Sequence, residues 1–279
     1  MEEREKRRIQ GQLEAYVRVS GSQAKASKRL GIGGATVSAI LKGNWEQISD
    51  DMLRRVDAKT ARSHEWQIVS TNAYTEITSV LNRCHQESSV TWVVGEAGSG
   101  KTTTARHYAS TTEHAYYVLC SEDMHRRDFL HTISRSLGFS LPKQNLRESL
   151  MDVVDKLLSM DRPLLIFDEA DKLSDSVFHY FIQLYNLLED RCGMTFLSTA
   201  YIEKRMQRGL TLKKRGYAEM NSRLGRKFYV IDPTTGVDVY GICQANGVED
   251  KHGIGDIISD AEQYQFDLRR VKKLVQARR

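Results

Sequence analysis

Residues 95–102 read Gly95-Glu96-Ala97-Gly98-Ser99-Gly100-Lys101-Thr102, the full pattern G-x-x-x-x-G-K-[ST]. The run before it, Val90-Thr91-Trp92-Val93-Val94, is β-branched and aromatic, as a buried strand is. Thr103 to Ser110 after it can open a helix. Strand, glycine-rich loop and helix in that order form a cradle for polyphosphate. The glycines let the backbone close around the anion with its N–H groups inward. The helix adds the positive end of its dipole. Lys101 is placed to neutralise the β- and γ-phosphates, and the Thr102 hydroxyl to ligate Mg²⁺. The sequence therefore predicts a nucleoside triphosphate site, with ATP and Mg²⁺ as ligands. Its candidate binding residues are Gly95, Glu96, Ala97, Gly98, Ser99, Gly100, Lys101, Thr102 and Thr103.

Sixty-seven residues beyond Lys101, Leu164-Leu165-Ile166-Phe167-Asp168-Glu169 delivers two carboxylates at the end of an apolar strand. Open α/β sheets place their ligands at that end of the strands. Asp168 suits a metal-holding role opposite Thr102, and Glu169 suits orienting and deprotonating a water. A binding-only site needs just the first carboxylate, so the second argues for hydrolysis.

Around these two stretches the pattern alternates. A helix is expected over 72–84, strands over 90–94, 116–120, 163–167 and 194–198, and helices over 124–137, 146–159 and 176–188. Such alternation predicts an α/β fold with a mostly parallel sheet and helices on both faces. Residues 1–62 read differently, as a small all-helical unit. Ile9, Leu13, Tyr16 and Val17 share one helical face. A helix over about 22–30 ends at Gly31, and a third begins near Gly34 with Val37, Ile40 and Leu41 inward. A fourth spans 49–56 behind a Ser49 cap. The second and third form a helix-turn-helix pattern from which Thr36, Ser38 and Lys42 project as candidate DNA contacts. Asp57 to His64 reads as a linker, dividing the chain into 1–62, 63–232 and a helical segment over 233–279.

The 279 residues carry a net charge of +5, a mild hint of an anionic partner. Residues 1–62 hold 13 Lys/Arg against 8 Asp/Glu, a surplus equal to that of the whole chain. A second basic stretch runs from Lys204 through Arg205, Arg208, Lys213, Lys214, Arg215, Arg223 and Arg226 to Lys227, with only Glu219 opposing. Gly209 and Gly216 suggest a mobile loop there. Arg126 and Arg127 form a smaller basic pair. Such groups give sequence-independent phosphate contacts, and the lack of clustered aromatics favours duplex over single-stranded DNA. Cys84, Cys120, Cys192 and Cys243 lie far apart without a C-x-x-C pair, which argues against a zinc site and fits reduced thiols in a cytosol. The charged N-terminus lacks an apolar core for a signal peptide, and no apolar run reaches membrane-spanning length. A soluble, cytoplasmic protein of a bacterial host is expected.

The residues GEAGSGKT, LLIFDEAD, a strand ending in small polar residues, and Asn221-Ser222-Arg223-Leu224 together resemble the AAA+ ATPases. The resemblance implies that a polar residue after the fourth strand, Ser198 or Thr199, senses the γ-phosphate, although the more usual asparagine is absent. It implies that Arg223 reaches the site of a neighbouring subunit and that Arg269 touches the nucleotide from a small helical lid. With a repressor-like helical domain in front, the chain is similar to the phage transposition ATPases. That implies filaments or rings of the protein on duplex DNA, selection of target DNA, and a transposase as partner. Helicase loaders and ATP-switched transcriptional regulators share parts of the pattern.

Overall fold

A computed structural model describes residues 1–60, 66–143 and 145–278. Residue contacts divide the chain into two compact units, Met1–Gln67 and Ile68–Arg279.

The first unit is helical: α1 (Glu3–Ser20), α2 (Gln23–Leu30), α3 (Gly34–Leu41) and α4 (Asp50–Thr60). Ile9, Leu13, Leu30, Val37, Ile40, Leu53 and Val56 form its core. Ser22 caps α2 by accepting from the Lys25 N–H, and α2 ends at a left-handed Gly31. Thr36 and Ser38 are half-buried on α3, and Lys42 follows its last turn exposed. The first part of the linker expected over 57–64 is helical instead. Asp57 to Thr60 complete the last turn of α4, because Val56 and Thr60 are buried and the Thr60 hydroxyl donates back to the Val56 carbonyl. The domain boundary expected at 62/63 lies outside the described residues.

The second unit is built on a five-stranded, all-parallel sheet. In chain order it comprises α5 (Asn72–Glu87), β1 (Val90–Val94), α6 (Lys101–Thr111), β2 (Ala115–Leu119), α7 (Arg126–Ser136), α8 (Leu146–Leu158), β3 (Leu164–Asp168), α9 (Asp175–Leu188), β4 (Gly193–Ser198), α10 (Tyr201–Thr211), α11 (Tyr217–Arg223), β5 (Tyr229–Val230), α12 (Gly236–Ala245), α13 (Lys251–Gln263) and α14 (Leu268–Arg278). The strand order is β2-β3-β4-β1-β5. Every pairing is parallel, so the strands' C-terminal ends gather on one edge. The expected α/β class with helices on both faces of a parallel sheet is observed.

Strand alternation sorts the core into two layers. On one face Trp92, Phe196 and Phe167 are register partners across β1, β4 and β3, and Phe129 of α7 continues the row. Successive centroids lie 4.7, 5.0 and 5.4 Å apart, all stacked. On the other face Val93, Leu197, Ile166 and Leu164 pack against Ile77 and Leu81 of α5 and Ala105 and Tyr108 of α6. The aromatic row fixes β1, β3 and β4 side by side, and these strands carry the phosphate loop, the carboxylates and Ser198.

Most of the basic stretch 204–227 is helical, and the loop expected between Gly209 and Gly216 narrows to a turn over 212–216 that carries Lys213, Lys214 and Arg215. The turn joins α10 to α11, and the two helices are held because Ile202, Met206, Gly209, Tyr217 and Met220, with Leu224 just after them, are buried. Gly209 is a packing glycine, since a Cβ there would lie 2.1 Å from Tyr217 Cδ1.

Candidate nucleotide site

The loop 95–100 leaves the end of β1 and turns into α6, whose first residue is Lys101. Gly98 and Gly100 both hold positive φ (79° and 93°), which L side chains rarely adopt. At Gly98 the approach is also close: a Cβ would lie 2.3 Å from Asp267 Oδ1. Here the requirement for glycine is steric as well as conformational. The Lys101 ammonium donates to the carbonyls of Gly95 and Glu96 at 2.7 and 2.8 Å, curling back over the loop. Burial holds it below the ordinary lysine range, against the pull of Asp168, Asp171 and Glu96. Ser99 is buried, Thr102 half-buried, and Glu96, Ala97 and Thr103 exposed.

Asp168 ends β3 with 2% of its surface exposed. Its Oδ2 accepts from the Tyr117 hydroxyl of β2 at 2.8 Å, and its Oδ1 from the Glu169 N–H at 3.0 Å. Burial and the neighbouring Asp168 charge push the Tyr117 hydroxyl well above the ordinary tyrosine range, so it stays a donor. Tyr117 was missed in the sequence because its role depends on β2 lying next to β3. Glu169 takes a left-handed backbone (φ 55°), which turns the chain sharply out of the strand. Its carboxylate pairs with Lys172 at 2.5 Å and is partly open to solvent.

Residues 168–171 spell Asp-Glu-Ala-Asp, and the last of them had no expected role. Asp171 Oδ2 accepts from the Thr199 hydroxyl at 2.9 Å, tying the turn after β3 to the turn after β4. Of the two sensor candidates, Ser198 is occupied by the core: its Oγ accepts from Trp92 Nε1 at 2.7 Å and donates to the Thr199 carbonyl. Thr199 therefore carries the polar group that faces the carboxylate turn.

From the other side, α14 meets the loop. The Leu268 N–H donates to the Gly98 carbonyl at 3.0 Å, and Asp267 caps the helix by accepting from the Arg269 N–H at 2.8 Å. Arg269 is exposed on that first turn, near enough to Lys101 to lower its proton affinity. The structure thus brings together the loop, Asp168, Glu169, Thr199 and Arg269. Arg223 lies elsewhere, at the end of α11. Its Nε and Nη2 donate to Asn186 Oδ1, Nη1 donates to the Glu219 carbonyl, and the guanidinium lies 5.3 Å from the Tyr185 ring.

Of the candidate DNA contacts in this unit, Arg126, Arg127, Lys204, Lys213, Lys214 and Arg215 are exposed. Arg205 is not available in the way expected. Its Nε donates to the Tyr217 hydroxyl, Nη1 to the carbonyls of Asp171 and Leu173, and Nη2 to Asp175 Oδ1, and it stacks 4.1 Å from the Phe178 ring centroid. An arginine so engaged holds protein together and has little left for a phosphate.

Comparison with known proteins agrees with this geometry. Residues 84–206 match the AAA domain family. The disease resistance protein RML1B of Arabidopsis thaliana is 26% identical over 138 residues, which span 46% of this chain and 14% of that protein. Among solved structures, the Aeropyrum pernix Orc1 protein in complex with DNA superposes with a TM-score of 0.52 at 16% identity. That match covers 73% of this chain and 58% of the archaeal one, so the chain spans less than two thirds of either relative. No helix among the described residues is long and apolar enough to cross a membrane.

Proposed function

We propose that the AAA-type domain hydrolyses ATP with Mg²⁺ and that hydrolysis governs assembly of this protein on duplex DNA during transposition. The observation that carries the reading is the meeting of Lys101, Asp168, Glu169 and Thr199 at the ends of three adjacent strands. The donor set fits the ligands: a glycine cradle that a Cβ would fill at Gly98, a lysine at the helix start, and a buried carboxylate with a fixed tyrosine donor. Lys101 and the loop N–H groups hold the polyphosphate. Thr102 and Asp168 hold Mg²⁺, which supplies charge neutralisation when bound. Glu169 orients and deprotonates the attacking water, which requires it to leave Lys172. Thr199 reads the γ-phosphate, and Arg269 closes on the nucleotide from α14. Arg223 acts on the site of a neighbouring subunit, exchanging its contacts with Asn186 and Glu219 for that role.

The exposed cations Lys204 of α10, Lys213, Lys214 and Arg215 of the turn before α11, and Arg126 and Arg127 support a sequence-independent duplex contact. Thr36, Ser38 and Lys42 offer a second contact from the helical unit. Domain order further supports the likeness to the transposition protein B of phage Mu, with a transposase as the partner to be activated. The test is duplex binding with a slowly hydrolysed ATP analogue, followed by filter binding and electron microscopy, with Lys101→Ala as control. The expected result is binding and filament or ring assembly that need nucleotide and are lost in the variant. Equal binding without nucleotide by a monomer refutes the reading. Preference for single strands together with a helicase partner replaces it with helicase loading.

A further inference from the structure

The basic face and the carboxylate turn are joined by one chain of ionic contacts. Asp175, the first residue of α9, accepts at Oδ1 from Arg205 Nη2 and from the Tyr217 hydroxyl, both at 2.7 Å. Its Oδ2 receives Lys214 at 3.3 Å. The far side of Arg205 binds the carbonyls of Asp171 and Leu173 at 2.9 and 2.6 Å, within the turn that follows Glu169. Asp171 in turn holds Thr199. The Arg205 side chain is 15% exposed, whereas that of Lys214 is 48% exposed and can reach solvent phosphate. Asp175, drawn up by burial but down by its hydrogen bonds with Tyr217 and Arg205, ionises at about 2 and so keeps its charge throughout the neutral range.

We propose that Arg205 is a positioning residue that bolts the carboxylate-bearing turn to Asp175, and that phosphate binding at Lys214 is transmitted through Asp175 to that turn. A duplex phosphate that draws Lys214 away leaves Oδ2 of Asp175 free and the carboxylate committed to Arg205 and Tyr217. The fork then grips the Asp171 and Leu173 carbonyls more firmly, and Glu169 and Thr199 are held in register. Lysine cannot replace arginine here, because one ammonium cannot span two carbonyls, a carboxylate and a hydroxyl in a fixed plane. Misplacing reacting groups by about 1 Å costs up to about 100-fold in rate. The proposal rests on the hydrolytic reading above.

The test compares the full-length wild type with Arg205→Lys and Tyr217→Phe. Binding of a fluorescent ATP analogue, kcat and KM with and without a short random-sequence duplex, and hydrogen exchange of residues 168–175 are measured. For Arg205→Lys we expect nucleotide affinity within about twofold of wild type, and kcat at least about tenfold lower with KM nearly unchanged. Faster exchange in the turn and loss of the duplex response are also expected. Tyr217→Phe, which keeps the ring and removes only the hydroxyl, should retain the fold and lose part of the duplex response. Wild-type kcat and duplex response in a folded Arg205→Lys protein overturn the proposal. So does unchanged duplex response in Tyr217→Phe. If wild-type turnover is absent or survives Lys101→Ala, it is the hydrolytic reading that fails instead, and the exchange rates of residues 168–175 still report whether Arg205 holds the turn.

Discussion

Replacing Gly209 by alanine sets two opposing effects against each other inside α10. In an isolated helix the change is favourable, by about 1 kcal/mol, because glycine loses more backbone entropy on folding. Here the new methyl would lie 2.1 Å from Tyr217 Cδ1 and 2.4 Å from its Cγ and Cε1. The ring cannot swing aside freely, since its hydroxyl accepts from Arg205 Nε at 3.1 Å and donates to Asp175 Oδ1 at 2.7 Å. Overpacking costs roughly 1–3 kcal/mol. Losing hydrogen bonds to charged partners costs roughly another 1.5–3 kcal/mol if the ring leaves. Steric strain therefore wins, with a net destabilisation of about 2 kcal/mol. For a unit of this size the melting temperature falls by roughly 4–8 °C. Thermal unfolding by calorimetry measures it, and hydrogen exchange should localise the loosening to α10 and α11. Adding Tyr217→Ala removes the obstacle, so the double variant should lose less than the sum of the single losses. An unchanged or raised melting temperature in Gly209→Ala refutes the packing argument and leaves helix propensity in charge.

Three further outcomes follow from the site and its surroundings. Glu169→Gln should keep nucleotide binding and DNA assembly while lowering turnover by at least about 100-fold; rapid turnover by that variant removes Glu169 from the role of base. Asp175 has its pKa lowered from 3.8 to about 2, so its ionised form favours the fold. Its contribution is complete above pH 4, is lost as the pH falls through about 2, and amounts to about 1 kcal/mol after solvent screening of a carboxylate that is 42% exposed. Urea midpoints of wild type and Asp175→Asn should therefore differ at pH 5–7 and converge near pH 2, and a constant difference refutes the ionic account. Finally, Lys213→Ala combined with Lys214→Ala should reduce the slope of log affinity for duplex against log salt by about two. An unaltered slope moves the contact elsewhere.

The phosphate loop and the strand bearing Asp168 were legible because both are local: each is a short strand followed at once by its functional residues. The remaining strands of the α/β pattern were legible from apolar runs, except β5, whose two residues at Tyr229 and Val230 are too few to leave a pattern. What the sequence could not disclose is which cations are committed internally. Arg205 and Lys204 are neighbours with the same charge, yet α10 turns one toward Asp175 and Phe178 and the other to solvent. The helical spacing of Ile202, Met206 and Gly209 was present in the chain. Two glycines and a run of basic residues obscured it, although Gly209 is there to admit the Tyr217 ring and Gly216 immediately precedes α11. Tyr117 and Asp171 were invisible for a different reason. Their partners, Asp168 and Thr199, lie on or beyond neighbouring strands, 51 and 28 residues away in sequence, and only the strand order joins them.

On the proposed reading, the contacts of the loop also tie nucleotide binding to α14. The carbonyls of the loop are in part already engaged by the protein. Lys101 binds the carbonyls of Gly95 and Glu96, and the Gly98 carbonyl accepts from the Leu268 N–H. Drawing Lys101 onto phosphate exchanges two bonds to neutral carbonyls for contacts with an anion, so the affinity measured is a difference, smaller than the new contacts alone would give. On the same reading, Asp267 opposes the incoming ligand. Its carboxylate lies over Gly98, where a Cβ would be 2.3 Å away, and would face the incoming negative charge. Like charges at that range repel, and Asp267 is fixed to α14 by its cap to the Arg269 N–H, so on the proposed reading that helix feels the repulsion. A shift of α14 that withdraws Asp267 would also move Arg269, two residues further along, relative to the loop. On the proposed reading, the acidic cap and the exposed arginine therefore act as one lever, and the sign of the ligand's charge decides which of them faces it.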